Sequence, residues 1–207
     1  MSNPGEPFVA AETALLLVDM QNDFLHPDGA YARGGALSAP VAALPARLVP
    51  VAEAMRATGG WIVSTHFTLV PGRGGAPFIS PHLKALRPFL GAGDFLPGSF
   101  GHGLIAELQP ADLSVEKVAY SAFYQTRLDW LLARAGIRRL VVGGIVTNGG
   151  VASTVRDAHV RDIPVTVLSD GCATADPAMH DLHIRALEAV AEVADCATAI
   201  ARLAAAR

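Results

Sequence analysis

The feature that most constrains this chain is an alternation, repeated along its length, of short apolar runs with segments of helical spacing. Thr13–Asp19 is an apolar run closed by a carboxylate. Ala42–Thr58 then places Leu44, Leu48, Val51 and Met55 three and four residues apart, the period of one helix face. Pro45 suits its first turn, Pro50 bends it, and Gly59–Gly60 end it. Further strands are predicted at Trp61–Thr65, Leu113–Lys117, Arg139–Gly143 and Pro164–Leu168. Helices are predicted at Arg127–Ala135, with Thr126 as N-cap and Gly136 past its end, at Gly150–Arg161 and at Met179–Ala194. A short strand around Cys196 precedes a helical tail. Strands separated by helices pair in parallel through right-handed crossovers, so residues 1–207 read as one α/β domain, a three-layer α/β/α sandwich. Ligands bind beyond the carboxyl ends of such strands. Asp19, Thr65–His66, Lys117 and Gly144–Gly150 stand there.

Composition narrows the function. The 51% hydrophobic content supplies a core, while 17% charged residues and a net charge of −3 leave no basic footprint for nucleic acid or an anionic membrane. No apolar stretch reaches the roughly 18–20 residues of a membrane span. Met1–Pro7 lacks the basic start and apolar segment of a secretory signal. Cys172 and Cys196 form neither a disulfide framework nor a CxxC pair. A cytoplasmic protein acting on a small molecule is the expectation. The Gly/Pro-rich stretch Pro71–Pro97 carries Phe78, Leu83, Leu86, Phe89 and Phe95, so it reads as an ordered excursion, a lid or a subunit contact.

Asp19 closes the strongest apolar run and is followed by Gln21, Asn22, Asp23 and Phe24. It is either an acid or base tuned by burial, or a cap of the next turn. Lys117 either holds that carboxylate or is solvated. In VVGGIVTNGGVASTVRD, Val141–Asp157, a strand runs through a turn into Gly149–Gly150, which open a helix whose free N–H groups favour an anion or oxyanion. The segment is neither GxGxxG nor a Walker motif. The seven histidines, His180 and His183 among them, match no metal pattern, and Ser153 has no GxSxG context. Tyr120, Phe123 and Tyr124, with Phe67 and Phe100, either line an apolar pocket or pack in the core.

Three segments in order resemble the isochorismatase-like (cysteine hydrolase) superfamily: LLLVDMQNDFL at Leu15–Leu25, VEKVAYSAFYQTRLDWLL at Val115–Leu132, and GGIVTNGGVASTVRDAHVRDIPVTVLSDGCA at Gly143–Ala173. LPGSFGHGLIAEL at Leu96–Leu108 resembles the segment before the lysine strand. The resemblance implies a Rossmann-like hydrolase that forms a homo-oligomer, a dimer or tetramer. It puts Asp19 and Lys117 on two members of a catalytic triad. It puts a cis peptide that shapes an oxyanion hole at Val146–Thr147. Around it, the candidate oxyanion and substrate site comprises Val146, Thr147, Asn148 and Gly149 with His66, Phe24, Tyr120 and Phe123.

The third triad member should be a cysteine in a T-N-x-C-V pattern, where this chain has Thr147, Asn148, Gly149, Gly150 and Val151. A thioester route is therefore not carried over. The superfamily's isochorismatases also have glycine there. In them the aspartate protonates an enol ether and water attacks the resulting oxocarbenium, which would make Asp19 the acid, Lys117 its orienting cation and Gly150 the space. The Thr147–Asn148 pair, by contrast, is amidase-like. His66 stands without the Asp-x-His of the family's zinc site, so neither metal nor cofactor is expected. A ligand-binding member that has lost catalysis, and an amidase whose cysteine was replaced, are the alternatives.

Overall fold

The computed structural model describes residues 6–205. Residues 1–5, and with them most of the segment weighed as a leader, lie outside the described part. Six strands, β1 (Thr13–Val18), β2 (Trp61–Phe67), β3 (Leu113–Lys117), β4 (Arg139–Ile145), β5 (Val165–Ala173) and β6 (Glu192–Ala194), form one sheet in the order β3-β2-β1-β4-β5-β6. Every neighbouring pair is parallel. The short turns α1 (Asn22–Leu25), α2 (Ala30–Arg33) and α3 (Ala39–Ala42) lead into α4 (Leu44–Ala57). The remaining helices are α5 (Pro81–Leu86), α6 (Leu128–Ala135), α7 (Ala152–Val160), α8 (Pro177–Leu187) and α9 (Cys196–Ala204).

β1 is apolar at nearly every position because both of its faces are covered, as parallel central strands require. Leu15 and Leu17 pack with Leu44, Leu48, Val51 and Met55 of α4 and with Ala199 and Leu203 of α9. Ala14, Leu16 and Val18 face the other way, onto Leu128 and Leu132 of α6, Val155 of α7 and Leu187 of α8. This is the expected three-layer sandwich. Among the described residues no helix is long and apolar enough to cross a membrane.

The departures from expectation have local causes. Asp195 accepts the Thr198 N–H (2.7 Å) and Asp170 accepts the Cys196 N–H (2.7 Å), so Cys196 opens a capped helix instead of lying in a strand. The predicted helix Met179–Ala194 stops at Leu187, and its last three residues become the edge strand β6. There Glu192 is tied by Arg202 Nη1 at 2.7 Å. β4 runs on to Ile145, and the helix expected from Gly150 begins instead as a wide π turn, Thr147–Val151, leading into α7. The cis peptide is Ile145–Val146, one residue before the expected bond, where β4 gives way to that turn.

The Pro71–Pro97 excursion is ordered. Ser80 Oγ caps α5 by accepting the Leu83 N–H (3.1 Å), and Leu90 and Phe95 are buried with Leu69 and Ala30 in a third small core. Phe78, read as a buried type, is 74% exposed.

Candidate active site

The strand order reverses direction between β1 and β4, and a crevice opens at such a switch point beyond the carboxyl ends of the strands. Asp19 follows β1 there, Gly150 lies in the turn after β4, and Lys117 is the last residue of β3, two strands away. The long lysine side chain reaches past β2, and its Nζ stands 2.6 Å from Asp19 Oδ2. Both side chains are almost wholly removed from solvent, at 1% and 7% exposure. Lys117 Nζ also donates to the Ala119 carbonyl (3.0 Å) and lies 5.8 Å from the centre of the Phe67 ring.

β2 supplies the second hold on the carboxylate. Thr65 pairs in register with Val18, so its hydroxyl meets the residue just past the end of β1. That hydroxyl donates to Asp19 Oδ1 (2.8 Å) and accepts the Asp19 N–H (3.1 Å). Asp19 itself has φ 56°, a left-handed conformation that Asp tolerates better than most residues. Burial pushes the Asp19 carboxyl above its ordinary range, against the opposing pull of Lys117 and of the Thr65 hydrogen bond.

Gly150 faces this carboxyl. A Cβ there would stand 3.3 Å from Asp19 Oδ2, 3.2 Å from Val18 Cγ1 and 2.9 Å from the Ile145 carbonyl oxygen. Any side chain at this position projects at the aspartate and crowds the β4 backbone. An inner chamber of about 80 Å³ is lined by Asp19, Lys117 and Gly150 with Phe24, Phe67 and Tyr120. An outer chamber of about 360 Å³ shares Phe24, Tyr120 and Val146 and adds Asn148 and Gly149.

Asp19, Lys117, Gly150, Val146, Asn148, Gly149, Phe24 and Tyr120 therefore line these two chambers, while His66, Phe123 and Thr147 do not. His66 points to the opposite face of β2 from Thr65, where its ring is held by Ser64 Oγ and the His102 carbonyl (2.8 Å each). Alternation along the strand makes Thr65, and not His66, the neighbour of Asp19. Phe123 is buried in the core beside α6, with the Arg161 guanidinium 4.7 Å from its ring centre. Thr147 turns its hydroxyl to His180 Nδ1 (2.9 Å), so it holds the π turn to α8 without lining either chamber. The Gly149 N–H is already donated to the Val146 carbonyl (2.9 Å) and is not free for an oxyanion. Phe100 is 61% exposed and lies outside both chambers.

Gln21, Asn22 and Asp23 serve the framework. Gln21 bonds the Phe67 backbone at both its N–H (2.7 Å) and its carbonyl (3.0 Å), Asn22 donates to the Phe100 carbonyl (2.7 Å), and Asp23 accepts from Ala30 and Phe95 N–H. Tyr31, Leu83, Leu86, Arg87 and Leu90 line the inner chamber without having been singled out for the site. Most of them come from the excursion, whose loop pattern carries no period from which to read an orientation. Among the described residues no group of three or more His, Cys, Asp or Glu side chains is placed to hold a metal ion.

Cys172 and Cys196 are both buried, and neither lines a chamber. Burial pushes the Cys172 thiol up to about 12 and raises that of Cys196 as well. Iodoacetamide at about pH 8, where an ordinary thiol of pKa about 8.5 reacts, is therefore expected to leave both unmodified in the folded protein. Intact mass spectrometry checks this, and rapid single alkylation without unfolding would contradict it.

Residues 13–198 match the isochorismatase domain family. The chain belongs to the isochorismatase family. It is 34% identical over 183 residues to the ureidoacrylate amidohydrolase RutB of Pantoea ananatis, covering 82% of this chain and 72% of that protein. Its fold matches a cysteine hydrolase from Pseudomonas syringae pv. phaseolicola with a TM-score of 0.82 at 24% identity over the whole of both chains. It also matches the N-carbamoylsarcosine amidase of Thermoplasma acidophilum with a TM-score of 0.68 at 26% identity, over 89% of this chain and 96% of that one. An isochorismatase-family hydrolase is thus the general class, and its two named amidohydrolase relatives weigh against assuming an ether substrate.

Proposed function

We propose that this hydrolase acts on a small carboxylated metabolite without a covalent thioester. Asp19 is the proton-transfer group, Lys117 orients it, and water is the nucleophile. The carrying observation is the space at Gly150, whose absent Cβ would stand 3.3 Å from Asp19 Oδ2. With no side chain there, the raised carboxyl faces whatever enters the chamber.

Vinyl-ether hydrolysis uses those features most directly. Asp19 gives its proton to the enol-ether carbon, forming an oxocarbenium ion. Water adds to that ion and returns a proton to Asp19, and the hemiketal collapses to a ketone and an alcohol. The raised pKa of Asp19 keeps its acid form present to higher pH than an exposed carboxyl would allow.

Hydrolysis of a C–N bond in a ureide or amide is the second reading. The relative named ureidoacrylate amidohydrolase and the amidase-like Thr147–Asn148 pair favour it. Here Asp19 would act as a base on the attacking water.

A panel of carboxylated vinyl ethers, ureides and amides, assayed across pH, separates the readings. With Asp19 as acid, kcat/KM falls as pH rises through the Asp19 pKa; with Asp19 as base it rises over the same range. Binding across the panel without turnover would replace both readings with a ligand-binding role.

A further inference from the structure

We infer that Arg87 is the carboxylate-recognition residue of this site, and that the substrate is a short mono-anion with its carboxylate on Arg87 and its scissile bond against Asp19. The assignment of the scissile end rests on the proposed function; the anion site stands on Arg87 itself. Arg87 lies just past α5 and lines both chambers, at the wall they share.

The charges of the cavity single it out. Lys117 is already engaged: its Nζ stands 2.6 Å from Asp19 Oδ2 and donates to the Ala119 carbonyl, which leaves little of it to a second anion. Arg87 is half-buried, yet no Asp or Glu side chain pairs with it among the described residues. Its Nε donates to Tyr31 Oη (3.0 Å) and its Nη1 to the Leu86 carbonyl (2.9 Å). Among the described residues Nη2 has no acceptor. The Tyr31 ring, with the guanidinium carbon 5.8 Å from its centre, helps fix the fork.

A partly desolvated guanidinium without a counter-ion favours an incoming anion, and its planar fork matches a carboxylate. A second observation lies in the same outer wall. Ser38 Oγ is buried and has no hydrogen-bond partner among the described residues. Together with the Asn148 amide it adds polar capacity to the chamber that Arg87 lines. The inner chamber, at about 80 Å³ against about 360 Å³ for the outer one, suits the reacting group, with the rest of the substrate in the outer chamber. Phe24, Phe67 and Tyr120 give it aromatic walls, which suit a flat, unsaturated chain between the carboxylate and the bond to be broken.

The test compares charged and neutral probes of the same shape. Binding of benzoate, crotonate, benzamide and crotonamide is measured by ligand-observed NMR on the wild type and on Arg87→Gln and Arg87→Lys. The wild type is expected to prefer each acid over its amide by about 10- to 100-fold, the range of a hydrogen bond to a charged group. Arg87→Gln erases that preference. Arg87→Lys keeps the charge without the fork and retains part of it. For any carboxylate that is turned over, Arg87→Gln raises KM by a similar factor with little change in kcat.

The inference is overturned if the wild type binds acid and amide alike or binds neither. It is also overturned if a folded Arg87→Gln keeps the preference, or, should that variant not fold, if Arg87→Lys keeps it undiminished. A carboxylate preference lost in Arg87→Gln, in a wild type that hydrolyses nothing, upholds the anion site and removes the proposed hydrolysis. Turnover with no preference for the acid does the reverse.

Discussion

Replacing Asp19 with Asn is expected to lower kcat by about 10²- to 10⁴-fold, the contribution of a positioned general acid or base. KM is expected to change little, because the side chain keeps its shape and the carboxylate-binding end of the cavity lies elsewhere. Asn can still accept the Thr65 hydroxyl through its carbonyl oxygen, so the residue remains anchored to β2. It cannot give or take the proton that either chemistry requires. The measurement is steady-state kinetics on the best substrate of the panel, normalised to the folded fraction read by circular dichroism. The thiols offer no substitute, since Cys172 and Cys196 lie in the packed layers and outside both chambers. Wild-type turnover in Asp19→Asn would remove the group assigned to proton transfer beside Gly150, and the proposed mechanism with it.

The parallel sandwich was legible because its central strands are covered on both faces and the helices between them carry regular apolar spacing. Asp19, Lys117 and the Thr147–Gly150 segment were legible for the same reason: each stands where an apolar run ends. What the sequence could not supply was the orientation of side chains at those ends. Thr65 and His66 are adjacent at the end of β2, and only the register of β2 against β1 makes Thr65 the partner of Asp19. Tyr120 and Phe123 are three apart in one aromatic cluster. Packing against α6 and Arg161 draws Phe123 into the core, while Tyr120 stays 60% exposed at the cavity. The Gly149 amide looked free until the π turn gave it the Val146 carbonyl. Arg87 sits in a segment without periodicity. No local signal says that a loop some thirty residues before Lys117 folds back to the same chamber.

Lys117→Met is expected to destabilise the protein by about 3–5 kcal/mol at neutral pH, the usual cost of breaking a buried ion pair from one side. The cause is the partner left behind. Asp19 is buried to 5% exposure, and once Lys117 is gone only the Thr65 hydrogen bond and the weaker influence of His66 still favour the ionised form. Its pKa, already raised by burial, rises further. A carboxyl with a folded pKa above its unfolded value holds a proton that the unfolded chain releases. The associated stability is present below the unfolded pKa and is lost as pH rises through the folded one. The deficit of Lys117→Met should therefore be small at acid pH, where both folded proteins hold the proton, and grow as pH rises through the raised Asp19 pKa of the wild type toward the higher one of the variant. Adding Asp19→Asn removes the titrating group, so the double variant should recover much of the loss and show a flatter pH dependence than Lys117→Met alone. Urea unfolding of wild type, both single variants and the double variant at acid and alkaline pH gives the coupling between the two sites. A double variant as unstable as the sum of the two single ones would show that Asp19 and Lys117, though 2.6 Å apart, are not coupled in the folded protein. Their pairing could then not be what orients the carboxyl toward Gly150.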